Sequence, residues 1–327
     1  MEKLLLTILL TLSFGVLADE SKTINLITDR SDVHLLDLVN KFQQGTEVTV
    51  NVTFVKDGIV EKAKNYDYDI LITKDSSELV AASDSLKEMH DYVLNDVPPE
   101  FKDNKDKKWF LMSYRIRSFH IKNGVKDIPE SYEDLAKPQY KDRICIRNVT
   151  HNYNLELFGT MISDMGEEKF VEWYKGFKNN IRGDSAANDR SQVKAVYEGK
   201  CDIAVANSYY RGLMLQDPEQ KSWAEATTLY IPNQKSTGAI ALYSGVGMLT
   251  NNMYNDMFAK FLIRDDIQQS ISKNNFEYVL NSNNVSDVVK TFGKEQDLKY
   301  ETIKLHQNIQ NELFELRKKA YLIIKEN

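Results

Sequence analysis

Asn188–Leu213 reads NDRSQVKAVYEGKCDIAVANSYYRGL. Its first half has the polarity pattern of a short amphipathic helix, and CDIAVANS that of a strand buried on both faces. The strand runs directly into paired tyrosines, Tyr209 and Tyr210. Adjacent residues inside a strand point to opposite faces, so both rings can address one ligand only where the strand has ended. Ser208 is an acceptable helix N-cap, and from the first turn of a helix both rings lean the same way. The carboxyl end of a strand is also where open α/β sheets bind ligands.

Upstream, Tyr153 lies in His151-Asn152-Tyr153-Asn154, just before the amphipathic run LELFGTMI. Asn152 or Asn154 can cap a helix starting at Leu155, which puts a third phenol at a helix mouth. The partial positive charge there favours phenolate, whose free pKa is about 10. Phenolates are hard anionic oxygen donors, and three of them cancel the charge of a trivalent cation, which makes ferric iron, Fe(III), the expected ligand. Most of the 17 tyrosines are ordinary packing residues. Tyr153, Tyr209 and Tyr210 stand out only through their positions.

Toward the N-terminus, TINLITDR alternates as a strand and SDVHLLDLVNKFQ has helical spacing at Val33, Leu36, Val39 and Phe42, with His34 on the polar side. EVTVNVTFV and YDYDILIT are two further strands, with Asp67 and Asp69 solvating the entry of the second. Strand, helix, strand, helix, strand is the pattern of parallel, doubly wound construction. Trp109 to Ile121 is extended and long enough to pass from one lobe to another, carrying Arg115 and Arg117 at the crossing, and a return crossing is expected near GAIALYSGVGML. The division this gives is 19–115 with 240–290 for the first lobe, and 116–239 with 291–327 for the second. The tail has helical spacing at Ile309, Leu313, Leu316 and Ala320.

MEKLLLTILLTLSFGVLA at the start reads as a secretory signal, residues 1–18, cleaved after Ala18. A periplasmic, water-soluble chain is the consequence. Export to an oxidising compartment predicts that Cys145 and Cys201, the only cysteines, are paired; two buried free thiols are the alternative. A net charge of −6, with 48 acidic against 42 basic residues and no basic stripe, argues against nucleic acid as a partner. Enzyme readings find no support: there is no G-x-S-x-G elbow, H-E-x-x-H, Cys-x-x-Cys pair or Gly-rich phosphate loop.

HNYNLELFGTMISDMGEEK, NDRSQVKAVYEGKCDIAVANSYY, IPNQ and KNNFEYVLN together resemble the periplasmic ferric-binding proteins of bacterial iron ABC importers, from about Ile24 to the C-terminal helix. The resemblance implies a two-lobed class II periplasmic binding protein fold, mixed sheets flanked by helices, and lobes joined by a hinge. It also implies iron held between the lobes by Tyr153, Tyr209 and Tyr210, delivery to an inner-membrane ABC permease, and a monomer that is not an enzyme. Many relatives carry Arg-His-Tyr after the first strand, where this chain has Arg30-Ser31-Asp32. The first-lobe His and Tyr ligands are therefore missing. Asp32 either coordinates, directly or through water, or caps the following helix; water or a small anion is left to complete the coordination. His151, Arg115 and Arg117 are candidates for supporting contacts, His151 more simply as a capping residue. A binding protein of the same fold for another small anion or organic solute is the alternative.

Overall fold

The computed structural model describes residues 22–30, 33–182, 188–307 and 309–327. The signal segment and Ser31-Asp32 lie outside the described residues. Nine strands appear among the described residues: β1 (Thr23–Thr28), β2 (Thr49–Phe54), β3 (Ile70–Thr73), β4 (Trp109–Lys122), β5 (Ile144–Ile146), β6 (Ile203–Asn207), β7 (Thr227–Tyr230), β8 (Ala241–Met248) and β9 (Tyr278–Val279). The helices in the first part of the chain are α1 (Val33–Thr46), α2 (Ile59–Asn65), α3 (Ser76–Ala81) and α4 (Asp91–Leu94). In the middle come α5 (Asn152–Met165), α6 (Glu167–Asn180), α7 (Asp189–Tyr197), α8 (Tyr209–Gln216) and α9 (Lys221–Glu225). The last are α10 (Met253–Leu262), α11 (Asp265–Asn275), α12 (Asp287–Lys290) and α13 (Gln310–Glu326).

β1 pairs in parallel with both β2 and β3, joined through α1 and α2 as the opening pattern requires. β3 then pairs antiparallel with β8, which makes the sheet mixed. β4 is the element that joins the two halves. Its first part, Trp109 to Ile116, pairs with β8, and Arg117 to Ile121 pairs with β6. β5 lies parallel to β6 at the far edge.

Two large apolar clusters flank this crossing. The first takes Ile24, Leu26, Ile70 to Ile72, Phe110 and Ile116 together with Phe258, Ile267 and Tyr278. The second takes Phe119, Ile144, Phe158, Phe170, Phe177 and Val205. At the start of β8 the chain alternates between them: Ala241 and Tyr243 face the first, and Leu242, like Ile240 just before the strand, the second. Leu298, Tyr300, Ile303 and Leu305 pack on the first cluster before α13 places Ala320, Ile323 and Ile324 in the second. The result is a two-lobed α/β architecture of mixed sheet covered by helices.

Cys145 and Cys201 form a disulfide with their Cα atoms 6.0 Å apart. It ties the centre of β5 to the entry of β6, beside Val193 and Val196 of α7. Reading α1 from its spacing places Val39 and Phe42 correctly and misplaces Leu36 and His34. Leu35, Leu38, Val39 and Phe42 are buried, Leu36 is exposed, and His34 is buried, with its Nδ1 3.4 Å from the Asn274 amide of α11. α11 covers the side of α1 that a lone amphipathic helix would give to water. Asp69 also differs from expectation: its carboxylate accepts from the Asn25 amide at 2.8 Å and from Thr250 Oγ1 at 2.6 Å, so it joins β1 to the segment after β8.

Candidate functional site between the lobes

Several strand ends open on one cavity of about 410 Å³. Asp29 and Arg30 follow β1, and Lys74 follows β3; Arg115 comes from the crossing in β4. Tyr153 stands in the first turn of α5, Arg190 in that of α7, and Tyr209 and Tyr210 open α8. Leu213, Asn275 and Glu277 complete the lining. The three tyrosines singled out by sequence position are thus brought together, with Arg115. The Tyr209 and Tyr210 rings are 4.0 Å apart, centroid to centroid. The Arg115 guanidinium lies 5.3 Å from the centre of the Tyr153 ring, and Arg147 approaches the same ring at 5.3 Å.

Local hydrogen bonding explains why these side chains are held there. Ser208 does not cap α8 with its side chain; its Oγ accepts from the Ile116 amide at 3.1 Å, which fixes the start of α8 to β4 at the crossing. Asn152 and Asn154 do not cap α5 either. The helix starts at Asn152, and His151 Nδ1 accepts from the Tyr153 amide at 3.2 Å. His151 therefore sits behind Tyr153 as a cap, its ring 4.7 Å from the tyrosine ring, and is not part of the cavity lining. Burial, reinforced by Arg147, pushes its pKa down to about 4, so it is neutral at physiological pH.

Arg117 is fully buried beneath the cavity. Its guanidinium donates to Asp189 at 2.5 Å, to Asn154 Oδ1 at 2.6 Å, and to Asn207 Oδ1 and the Val205 carbonyl at 3.2 Å each. Those residues start α7, start α5 and end β6. One planar cation with its donors in a fixed fork thereby gathers the segments that carry Arg190, Tyr153 and the tyrosine pair. Gly212 contributes by its lack of a side chain: a Cβ there would collide with the Phe276 ring, so α8 can lie against the first cluster.

The electrostatics of the cavity are those of a basic pocket in which Tyr209 and Tyr210 are neutral phenols. Burial, then the neighbouring Tyr153 and Tyr210 oxygens, holds the Tyr209 phenol well above its ordinary range, and burial likewise raises Tyr210. Four basic side chains, Arg30, Lys74, Arg115 and Arg190, face two carboxylates, Asp29 and Glu277. Arg30 pairs with Glu277 at 3.3 Å, and Lys74 with Asp29 at 3.5 Å. Arg115 donates to Ser244 Oγ at 2.9 Å and to the Lys74 carbonyl. Among the described residues no group of three or more His, Cys, Asp and Glu side chains is placed to hold a metal ion, so hard-metal ligation here would draw on the phenols.

Asp29, Arg30, Lys74, Arg190 and Glu277 were not anticipated as lining residues. Asp29, Arg30 and Lys74 had a usable signal, since each follows a parallel strand at its carboxyl end. Arg190 and Glu277 had none.

Comparison with known proteins agrees with this architecture. The chain is 32% identical over 291 residues to Iron uptake protein A1 of Synechocystis, an alignment spanning 84% of this chain and 81% of that protein. A ferric binding protein from Campylobacter jejuni superposes with a TM-score of 0.83 at 27% identity, covering 93% of this chain and 98% of the other. A Trichodesmium protein solved with iron and citrate superposes with a TM-score of 0.83 at 28% identity, again covering 93% and 98%. Residues 63–300 match the model of the family described as bacterial extracellular solute-binding protein. With a match over most of its length and two lobes enclosing a polar cavity, this chain belongs to the bacterial extracellular solute-binding proteins.

Proposed function

We propose that this chain is a periplasmic carrier that binds ferric iron between its lobes through Tyr153, Tyr209 and Tyr210 and hands it to an inner-membrane ABC permease. The observation that carries this reading is the convergence of three phenols from two separate loops on one cavity between the lobes. Relatives named for iron uptake and ferric binding support it. The carrier acts as a monomer without catalytic turnover. The leader ends at Ala18. Its lobes are 19–115 with 240–290 and 116–239 with 291–327; the passage of β4 between the two apolar clusters supports the first crossing, while Leu298 to Leu305 stay on the first cluster and only α13 enters the second.

Protons and charge set the mechanism. Tyr209 and Tyr210 enter as neutral phenols, because burial outweighs the pull of the neighbouring arginines and leaves their protons on. A trivalent cation reverses that balance and displaces the protons, so uptake is favoured by higher pH and acid discharges the ion. Three phenolates neutralise the iron itself, and the excess of basic side chains remains. A small anion bound beside Arg115, Lys74 and Arg190 offsets that excess and completes the coordination, alone or with water. Asp32 lies outside the described residues and is retained as a further oxygen donor, direct or through water.

The same basic excess favours a second reading, in which the cargo is a small anion or organic solute and no metal is held. Metal content and colour of protein purified without added metal separate the two, compared with Tyr153→Phe and Tyr210→Phe. Iron-tyrosinate gives an intense visible charge-transfer band. We expect coloured, iron-containing protein whose colour is lost in both variants; colourless protein that stays empty in excess ferric citrate supports the second reading.

A further inference from the structure

The C-terminal helix α13 touches both lobes. Ala320, Ile323 and Ile324 enter the second apolar cluster, and the helix runs so close to α5 that a Cβ at Gly159 would lie 3.2 Å from the Arg317 amide nitrogen. On its other side Arg317 is buried, and its Nη1 donates to both carboxylate oxygens of Asp75 at 2.7 Å each, and to Ser77 Oγ. Asp75 is the N-cap of α3, whose Leu79 belongs to the first cluster. The side chains of Gln310 and Ser76 make a second bond between the same elements.

The two anchor points of this helix lead directly to the cavity. Asp75 follows Lys74, which lines the first-lobe wall, donates its amide to Asp29 Oδ1 at 2.8 Å and accepts from Arg115 through its carbonyl. α5, against which α13 packs, carries Tyr153 in its first turn.

We propose that Arg317 is a positioning residue for ligand binding: through Asp75 it makes α13 a strap between the Lys74 wall and the Tyr153 wall of the cavity, and so limits how far the lobes part. The proposal rests on the reading of this cavity as the binding site, but its test needs no ligand. Spin labels introduced at Glu61→Cys in α2 and Lys175→Cys in α6, both exposed, report the distance between lobes in the ligand-free mature chain. Arg317→Met and Asp75→Asn should each lengthen the mean distance and broaden its distribution roughly twofold, as expected for a hinge released from one restraint. Their combination should add nothing further, because both remove one contact. Arg317→Lys, which keeps a cation, should restore most of the narrow distribution.

Folded variants with the distance distribution of the unsubstituted chain would overturn the proposal, whatever their melting temperatures. If Arg317→Met does not fold, Asp75→Asn and Arg317→Lys decide it by the same readout. Iron loading of the same samples is a separate measurement: a strap effect in protein that takes up no iron would leave this inference standing and remove the iron reading.

Discussion

Arg117 and Glu156 show how much a single side chain can decide in this molecule. Arg117 joins the starts of α5 and α7 to the end of β6, all with full burial, so Arg117→Met leaves the Asp189 carboxylate buried without its closest partner. Loss of one partner of a buried pair costs about 3–5 kcal/mol, and urea unfolding of the variant should show a decrease of that size. Glu156, one turn after Tyr153 on α5, is held mainly by burial, and secondarily by Asp75, at a pKa raised to about 8. Its folded form therefore keeps a proton that the unfolded chain gives up near the ordinary glutamate value of 4.5. The stability it favours is fully present below that unfolded value and is lost as pH rises through the folded one, at about 1.4 kcal/mol per pH unit between them. Glu156→Gln should flatten this part of the stability–pH curve in unfolding measured from pH 5 to 8.5; an unchanged slope would show that Glu156 is ionised in the folded state. The tyrosines were legible in the sequence because chain position alone places a residue at a strand end. The roles of Arg117, Lys74 and Arg190 were not, because each depends on which distant segment the fold sets opposite it.

At the scale of elements, periodicity located strands and helices well and faces less well. β1, β2 and β3 and the long β4 fall where alternation and continuous apolar runs place them. In α1 the spacing finds Val39 and Phe42 but misplaces Leu36 and His34, because periodicity assumes one covered face, whereas α1 meets the sheet on one side and α11 beside it. The caps were assigned to the nearest suitable side chains, Ser208 and Asn152 or Asn154, yet the β4 crossing and Arg117 compete for Ser208 and Asn154. The cysteines were legible through compartment reasoning, and the disulfide joins β5 to the entry of β6 across a separation of 56 residues. Loop-closure entropy for that length gives about 4 kcal/mol. Replacing both cysteines by Ala should lower unfolding stability by this order, and because β5 and β6 precede the two tyrosine loops, iron affinity should fall with it. A cysteine-free chain with unchanged stability would show that hydrogen bonding between β5 and β6 suffices alone.

For the whole molecule, the cavity proposed as the ligand site is lined by segments of both lobes. Asp29, Arg30, Lys74 and Glu277 approach from one side and Tyr153, Arg190, Tyr209 and Tyr210 from the other. On the proposed reading, a ligand that draws the two walls together stabilises a closed arrangement by its differential affinity for it. On the proposed reading, iron bound chiefly by second-lobe phenolates would couple to closure through the anion and the basic side chains of the cavity, so removing a co-bound anion should weaken closure more than it weakens iron retention. Small-angle scattering of iron-loaded protein with and without a small anion measures the first, and the visible band the second. The central claim is more direct still: three phenols lose their protons to hold one ferric ion. Resonance Raman spectra of the iron-loaded chain, excited in its visible band, should show tyrosinate ring modes that weaken in steps as Tyr153, Tyr209 and Tyr210 are each replaced by Phe. Full iron occupancy with no tyrosinate modes would contradict the account.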